Sequence, residues 1–191
     1  MGNPEPTVRY TPEEYLKLEH AAAYKNEYYN GMILPMESHT FNQNMVSMDC
    51  YFTIDAALNR AEWTPIGSIV KIRIDEPMTY FYPEMAVVKG KPHLQDNKYS
   101  YTNPTLIVEV LAEWSEAFDR GKKFHRYKLI PTFQEYVLVS KDEYQAEVFY
   151  KLNDADWQYT SYEGLEAVME LRSLGIQVKL SEIYQRVEFE L

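Results

Sequence analysis

A mixed α/β fold, with a central mixed sheet flanked by helices, is what this sequence predicts. Three observations carry that expectation. Asn30-Gly31 stands between two β-prone runs, the chemistry of a tight hairpin turn. The apolar run Thr105 to Leu111 is followed by a helical pattern over 113–128 and a second apolar run, Glu135 to Ser140. Two further β-prone runs, 146–152 and 157–162, read as an antiparallel pair.

The elements follow in order. Residues 1–9 read as a flexible tail and 10–191 as one domain. Thr11-Pro12-Glu13-Glu14 is a helix start, with Thr as N-cap, Pro at the first helical position and Glu at the capping-box position. The helix should run to about Glu19. The Lys25 to Met36 stretch is the hairpin. In 41–59, Phe41, Met45, Met48, Phe52 and Leu58 recur at helical spacing. Ile66, Ser68, Val70, Ile72 and Ile74 alternate with Lys71 and Arg73, predicting one half-exposed strand. Pro83 marks the entry to a short strand, Glu84 to Val88. In the 113–128 helix, Trp114, Ala117, Phe118, Gly121 and Phe124 form the apolar stripe, and Lys123 flanks it beside Glu116, Arg120 and Tyr127. Pro131 ends that helix. A last strand over 176–180 and a short helix from Ser181 close the pattern.

Composition narrows the function classes. The 191 residues are 46% hydrophobic and 25% charged, the balance of a folded globular chain. A chain this long can bury about 70% of its unfolded surface without covalent staples. One cysteine, Cys50, excludes an intrachain disulfide framework and a cysteine-based zinc finger. No run approaches the about 18 apolar residues of a membrane span, and the start has no signal-peptide pattern. A cytoplasmic protein with no membrane partner is the expectation. The net charge of −10 argues against broad attraction to nucleic acid but leaves room for a local basic patch. One exists: 119–128 holds Arg120, Lys122, Lys123, Arg126 and Lys128 against the single acid Asp119. The 17 tyrosines suit a half-buried sheet.

Glu109 is the most informative residue. Strand alternation places it on the face of Ile107 and Leu111, where a lone carboxylate costs several kcal/mol. It must be neutral, ion-paired or bound to a metal. Glu84, at the head of a neighbouring apolar strand, could share one hard cation with it. Oxygen donors without thiolates or a histidine pair favour Mg²⁺ or Mn²⁺. Lys123 can lean over the sheet toward Glu109. Carboxylates, a divalent cation and one lysine are the parts that phosphodiester hydrolysis needs.

Those residues, with the stretches around them, resemble the restriction-endonuclease-like domain family of the PD-(D/E)XK nuclease superfamily. The resemblance lies in Lys25 to Gly31, His39 with Asn42, Tyr82-Pro83-Glu84-Met85, Asn103 to Leu111, and Asp119-Arg120-Gly121-Lys122-Lys123-Phe124 with Tyr127. Ile130-Pro131-Thr132 and Glu135-Tyr136 extend it, so that it covers about residues 10–185. It implies a mixed sheet flanked by helices and a Mg²⁺-dependent (or Mn²⁺-dependent) endonuclease acting on DNA. Glu84 and Glu109 would be the metal acids, Lys123 a catalytic lysine moved from strand to helix, and Glu27 a further metal or water contact. Glu84 stands where the family pattern has Asp. Asn30-Gly31-Met32 replaces Asp-Gly-Glu, and Ala112-Glu113-Trp114 replaces Ser-Pro-Ser.

The expected DNA contacts are Arg120, Lys122, Lys123 and Arg126, with His39 as a phosphate or water contact. Lys123, at the edge of the stripe, should be replaceable by Ala without loss of the fold. Analogy with nucleases that cut both strands suggests a homodimer. The alternative reading is a catalytically degenerate nuclease fold serving as a binding or regulatory module.

Overall fold

The computed structural model describes residues 8–112 and 115–189. Helix α1 (Pro12–Ala21) begins as expected: the Thr11 hydroxyl accepts the Glu14 amide and the Glu14 carboxylate accepts the Thr11 amide. Strands β1 (Asn26–Tyr29) and β2 (Met32–Pro35) form the hairpin, with Asn30 and Gly31 at φ 52° and 81°. Two successive positive φ angles define the type I′ turn that Asn-Gly favours. Helix α2 (Phe41–Ala57) follows, capped by Thr40. Its buried residues are Gln43, Val46, Asp49, Cys50 and Ile54, whereas Phe41 and Phe52 face solvent. The helix was legible, but the aromatic spacing pointed to the wrong face.

The 66–74 run is two strands rather than one. β3 (Trp63–Gly67) and β4 (Lys71–Ile74) belong to different sheets. Ile66, Val70, Ile72 and Ile74 nevertheless pack in one core, so the alternation survives a turn at Ser68-Ile69. The chain continues through β5 (Thr79–Phe81), β6 (Met85–Lys89), β7 (Leu94–Gln95), β8 (Ser100–Tyr101) and β9 (Pro104–Leu111).

Residues 116–127 form one helical segment, α3. It is α-helical over Glu116–Phe118 and Phe124–Tyr127 and π-helical over Asp119–Lys123. The predicted contribution of Trp114 lies outside the described residues. Phe118 and Phe124 pack inward as expected, but Ala117 and Gly121 are exposed. The π turn, in which the Phe124 amide donates to the Asp119 carbonyl, keeps residues 115, 119, 123 and 127 buried at four-residue spacing. Strands β10 (Glu135–Ser140), β11 (Gln145–Lys151), β12 (Trp157–Glu163), β13 (Val168–Leu171) and β14 (Ile176–Lys179) lead to α4 (Leu180–Ile183).

Two six-stranded mixed sheets replace the single sheet of the sequence reading, in the orders β2-β1-β5-β4-β8-β7 and β12-β11-β10-β9-β6-β3, beside a β13-β14 hairpin. β9 and β10 are parallel neighbours joined through α3. Every residue of β9 is buried, and its faces divide cleanly. Leu106, Val108 and Val110 meet an aliphatic core with α2, α4 and the β13-β14 hairpin. Ile107 and Leu111 meet a second core, shared with the other sheet and α3. A small cluster of Tyr15, Tyr28 and Tyr80 fixes α1 to its sheet, with Tyr15 and Tyr28 stacked at 5.1 Å. Most tyrosines are thus packed inside; Tyr24, Tyr99 and Tyr159 are the exposed ones. Among the described residues no helix is long and apolar enough to cross a membrane.

Candidate active site

Glu109 points into the aromatic core, where its Oε1 accepts hydrogen bonds from Tyr127 Oη at 2.9 Å and Lys123 Nζ at 3.3 Å. Lys123 also stands 3.0 Å from Glu27 Oε1 and 3.2 Å from Asp119 Oδ1. All four side chains are buried. One ammonium therefore lies among three carboxylates supplied by three elements: β9, β1 and α3. Asp119 and Lys123, four residues apart on α3, lie on the same side of it. Ser115 Oγ donates to Asp119 at 2.7 Å and fixes its other oxygen. Phe81 covers Lys123, whose Nζ is 5.5 Å from the ring centroid.

Glu84 precedes β6 on the irregular Tyr82-Pro83-Glu84 segment. His39 Nε2 lies 3.0 Å from its Oε1, and Ser47 Oγ from α2 donates to its Oε2 at 2.8 Å. The Tyr82 amide donates to Glu27 Oε1 at 3.0 Å, tying that segment to β1. Glu27, His39, Glu84, Glu109, Asp119 and Lys123 all line one cavity of about 310 Å³. Glu84, Glu109, Lys123, Glu27 and His39, expected from sequence to act together, lie on the walls of that one cavity. Sequence reasoning missed Asp119 and Ser47. The signal for Asp119 was its four-residue spacing from both Ser115 and Lys123 amid aromatic residues.

The electrostatics follow from that geometry. Burial raises Glu109 well above the carboxylate range; the Lys123 charge opposes this, while Asp119, Glu27 and Glu84 reinforce it. Burial also raises Glu27, offset in part by Lys123 and the Tyr82 amide. For Lys123 burial disfavours the charge, but Glu109, Glu27 and Asp119 outweigh it and hold the lysine well above its ordinary value. Lys123 keeps its proton. One ammonium does not balance three close carboxyl groups in a low-dielectric pocket; a proton on Glu109 takes up the excess negative charge, and another positive species could replace it.

That excess negative charge, built from carboxylate oxygens alone, fits a hard divalent cation. Glu84 and Glu109 are the acids that would hold one, since Mg²⁺ commonly takes one or two carboxylates and keeps several waters. Among the described residues no group of three or more His, Cys, Asp or Glu side chains is arranged to hold a metal ion as it stands.

The basic stretch differs from the expected solvent-facing stripe. Arg120 is held by Glu116 at 2.7 Å and by Glu147. Arg126 is buried; it donates to the Asn30 side chain and lies 5.0 Å over the Tyr29 ring, so it docks the β1-β2 turn on α3. Lys123 is buried in the cluster. Of the four, only Lys122 presents its charge outward, beside Tyr29 and Phe118. The cause is local: acids and aromatic rings on neighbouring elements capture cations that the one-dimensional charge count left free.

Superposition shows that the fold is shared with a solved structure. A crystal structure of "a putative nuclease belonging to DUF820" from Anabaena variabilis ATCC 29413 matches with a TM-score of 0.72 over 91% of this chain and 96% of that one, at 15% identity. The chain belongs to the Uma2 family, described as "Putative restriction endonuclease", whose profile matches residues 12–181. Two relatives come from Synechocystis sp. (strain ATCC 27184 / PCC 6803 / Kazusa). "Uncharacterized protein sll1609" is 32% identical over 167 residues, covering 87% of this chain and 94% of the relative. "Uncharacterized protein slr1290" is 31% identical over 184 residues, covering 96% of each.

Proposed function

We propose that this chain is a metal-dependent endonuclease that hydrolyses DNA phosphodiester bonds, with Mg²⁺ or Mn²⁺ held by Glu84 and Glu109. The observation that carries the reading is one buried lysine among three carboxylates, with Glu84 on the wall of the same cavity. When bound, the cation would supply Lewis acidity toward the phosphodiester and its attacking water. Lys123, permanently protonated, offers a fixed positive charge to the negative charge that builds on the phosphoryl oxygens. Asp119 and Glu27 position that ammonium. Glu27 also anchors, through the Tyr82 amide, the segment that carries Glu84. His39, half-exposed at the mouth, holds a proton on Nε2 against Glu84 and can meet a phosphate oxygen.

Supercoiled plasmid incubated with Mg²⁺ or Mn²⁺ tests this. Wild type should nick or linearise it, and Glu109→Gln should lower the rate at least about 10²-fold, the usual loss for one electrostatic contact. Glu84→Asp tests whether the site is tuned to the longer acid: slower cutting says that it is, faster cutting that the shorter family acid is better. The binding-module alternative draws support from one feature, that both Glu84 oxygens are already engaged by His39 and Ser47. It takes over if wild type cuts no duplex, nicked or single-stranded DNA with either ion.

A further inference from the structure

A second cavity, of about 760 Å³, lies on the far side of Tyr82, which lines both. Its walls come from α1, β4 and the 96–99 turn. Lys71 is buried there and, among the described residues, makes no ion pair and one hydrogen bond, a long one of 3.5 Å to Tyr82 Oη. Its Nζ lies 5.6 Å from the Tyr82 ring centroid and 6.0 Å from that of Tyr99. Burial lowers its pKa, and Glu19 and Asp96 only partly compensate. Those two acids have partners of their own: Glu19 accepts from Asn26 and Tyr82 Oη, and Asp96 pairs with Arg73 at 2.9 Å. Tyr99, 57% exposed, stands at the rim with the His20 ring edge-on to it at 5.5 Å, leaving part of the Tyr99 ring free. Asp96, Asn97 and Lys98 all adopt positive φ, at 49°, 56° and 75°, a costly run for three non-glycine residues that shapes the rim.

We propose that this cavity seats a nucleobase of the strand bound in the neighbouring active-site cavity. The base would stack on Tyr99, with Lys71 donating to its carbonyl edge and the side chain of Asn97 at the rim accepting from its amino edge. The inference rests on the nuclease reading for its choice of ligand class. A nucleobase satisfies both a donor-only lysine and the acceptor at the rim. A bare phosphate would satisfy the lysine but face the carboxylates of Glu19 and Asp96. Stacking on an aromatic ring is indifferent to which base is present. Lys25, whose Nζ is 5.5 Å from the Tyr82 ring centroid, extends the cationic path toward Glu84.

The test is a titration in EDTA, where no cleavage occurs, of cytidine, guanosine and inorganic phosphate into the full chain, followed by NMR shifts of the Tyr99 and Lys71 amides. Either nucleoside should shift both signals, and phosphate should not. Tyr99→Ala should weaken nucleoside binding about ten-fold, in line with the loss of one stacked base. Lys71→Met should do the same; because Tyr99 is exposed, its variant remains informative if Lys71→Met does not fold. Failure of both nucleosides to bind, preference for phosphate, or unchanged binding in Tyr99→Ala overturns the proposal. Plasmid left uncut by wild type with Mg²⁺ would retire the nuclease reading instead, and the nucleoside titration would still be decisive for the cavity.

Discussion

Lys123 decides how the site should respond to single substitutions. Seen only as the edge of a stripe, it is dispensable to the fold; placed among Glu27, Glu109 and Asp119, it is not. Removing one partner of a buried ion pair strands the others, at a cost of about 3–5 kcal/mol. Lys123→Ala should therefore lower the unfolding free energy read from urea titration by an amount in that range, and Mg²⁺ should raise the variant's Tm more than the wild type's, because the cation replaces the missing charge. His39 gives the pH dependence. Its hydrogen bond to Glu84 raises its pKa in the folded protein, against burial and Lys25. The pair's stabilisation is then fully present below about pH 6.5, the unfolded value, and fades as pH rises through the folded one. Urea titrations of wild type and His39→Gln should differ most at the acid end and converge above it.

At the scale of elements, the π turn of α3 is the feature on which the site depends. It lets Ser115, Asp119, Lys123 and Tyr127 share one buried side, an arrangement that a regular helix would wind away by about 40° per step. Gly121 lies in this turn with open space around it. Deleting it should convert the turn to regular α-helix and leave Asp119 and Lys123 three residues apart, about 60° out of line with each other. The expected result is an unchanged far-UV spectrum with loss of both cleavage and the Mg²⁺-induced rise in Tm. This element also shows where the sequence could and could not be read. Capping residues, the Asn-Gly turn and the β9 run speak through nearest-neighbour chemistry and fell into place. The π turn did not, because 100° periodicity presumes the helix it is meant to find. α2 was found, yet its buried face includes Asp49, which Arg186 reaches at 2.5 Å, a pairing across the whole chain that no local pattern encodes.

For the molecule as a whole, charge and burial together revise the route of a nucleic-acid partner. Glu109, Glu84 and Lys123 could be placed from sequence because an acid in an apolar strand and a lysine beside an aromatic stripe are local anomalies. The basic patch was misjudged because Arg120 is paired with Glu147 and Arg126 is buried against Asn30 and Tyr29, far away in sequence. DNA binding should consequently show a modest salt dependence. With about two or three free cations near the cavity, a slope of roughly −2 to −3 is expected in a plot of log affinity against log salt, against about −4 if all four basic residues met phosphates. Fluorescence anisotropy across a salt series with EDTA measures it. A slope near −4 would restore the basic helix as the contact surface.

The seat of Lys123 also has a meaning for descent. Its three acids come from separate strands and a helix, so no single substitution can retire the site quietly. Losing one acid weakens the lysine's hold, and losing the lysine leaves three like charges enclosed. A lineage drifting away from catalysis would have to pass through unstable intermediates or change several positions together. Glu27, Glu109, Asp119 and Lys123 thus answer to folding as well as to chemistry, and relatives are expected to keep or lose them together.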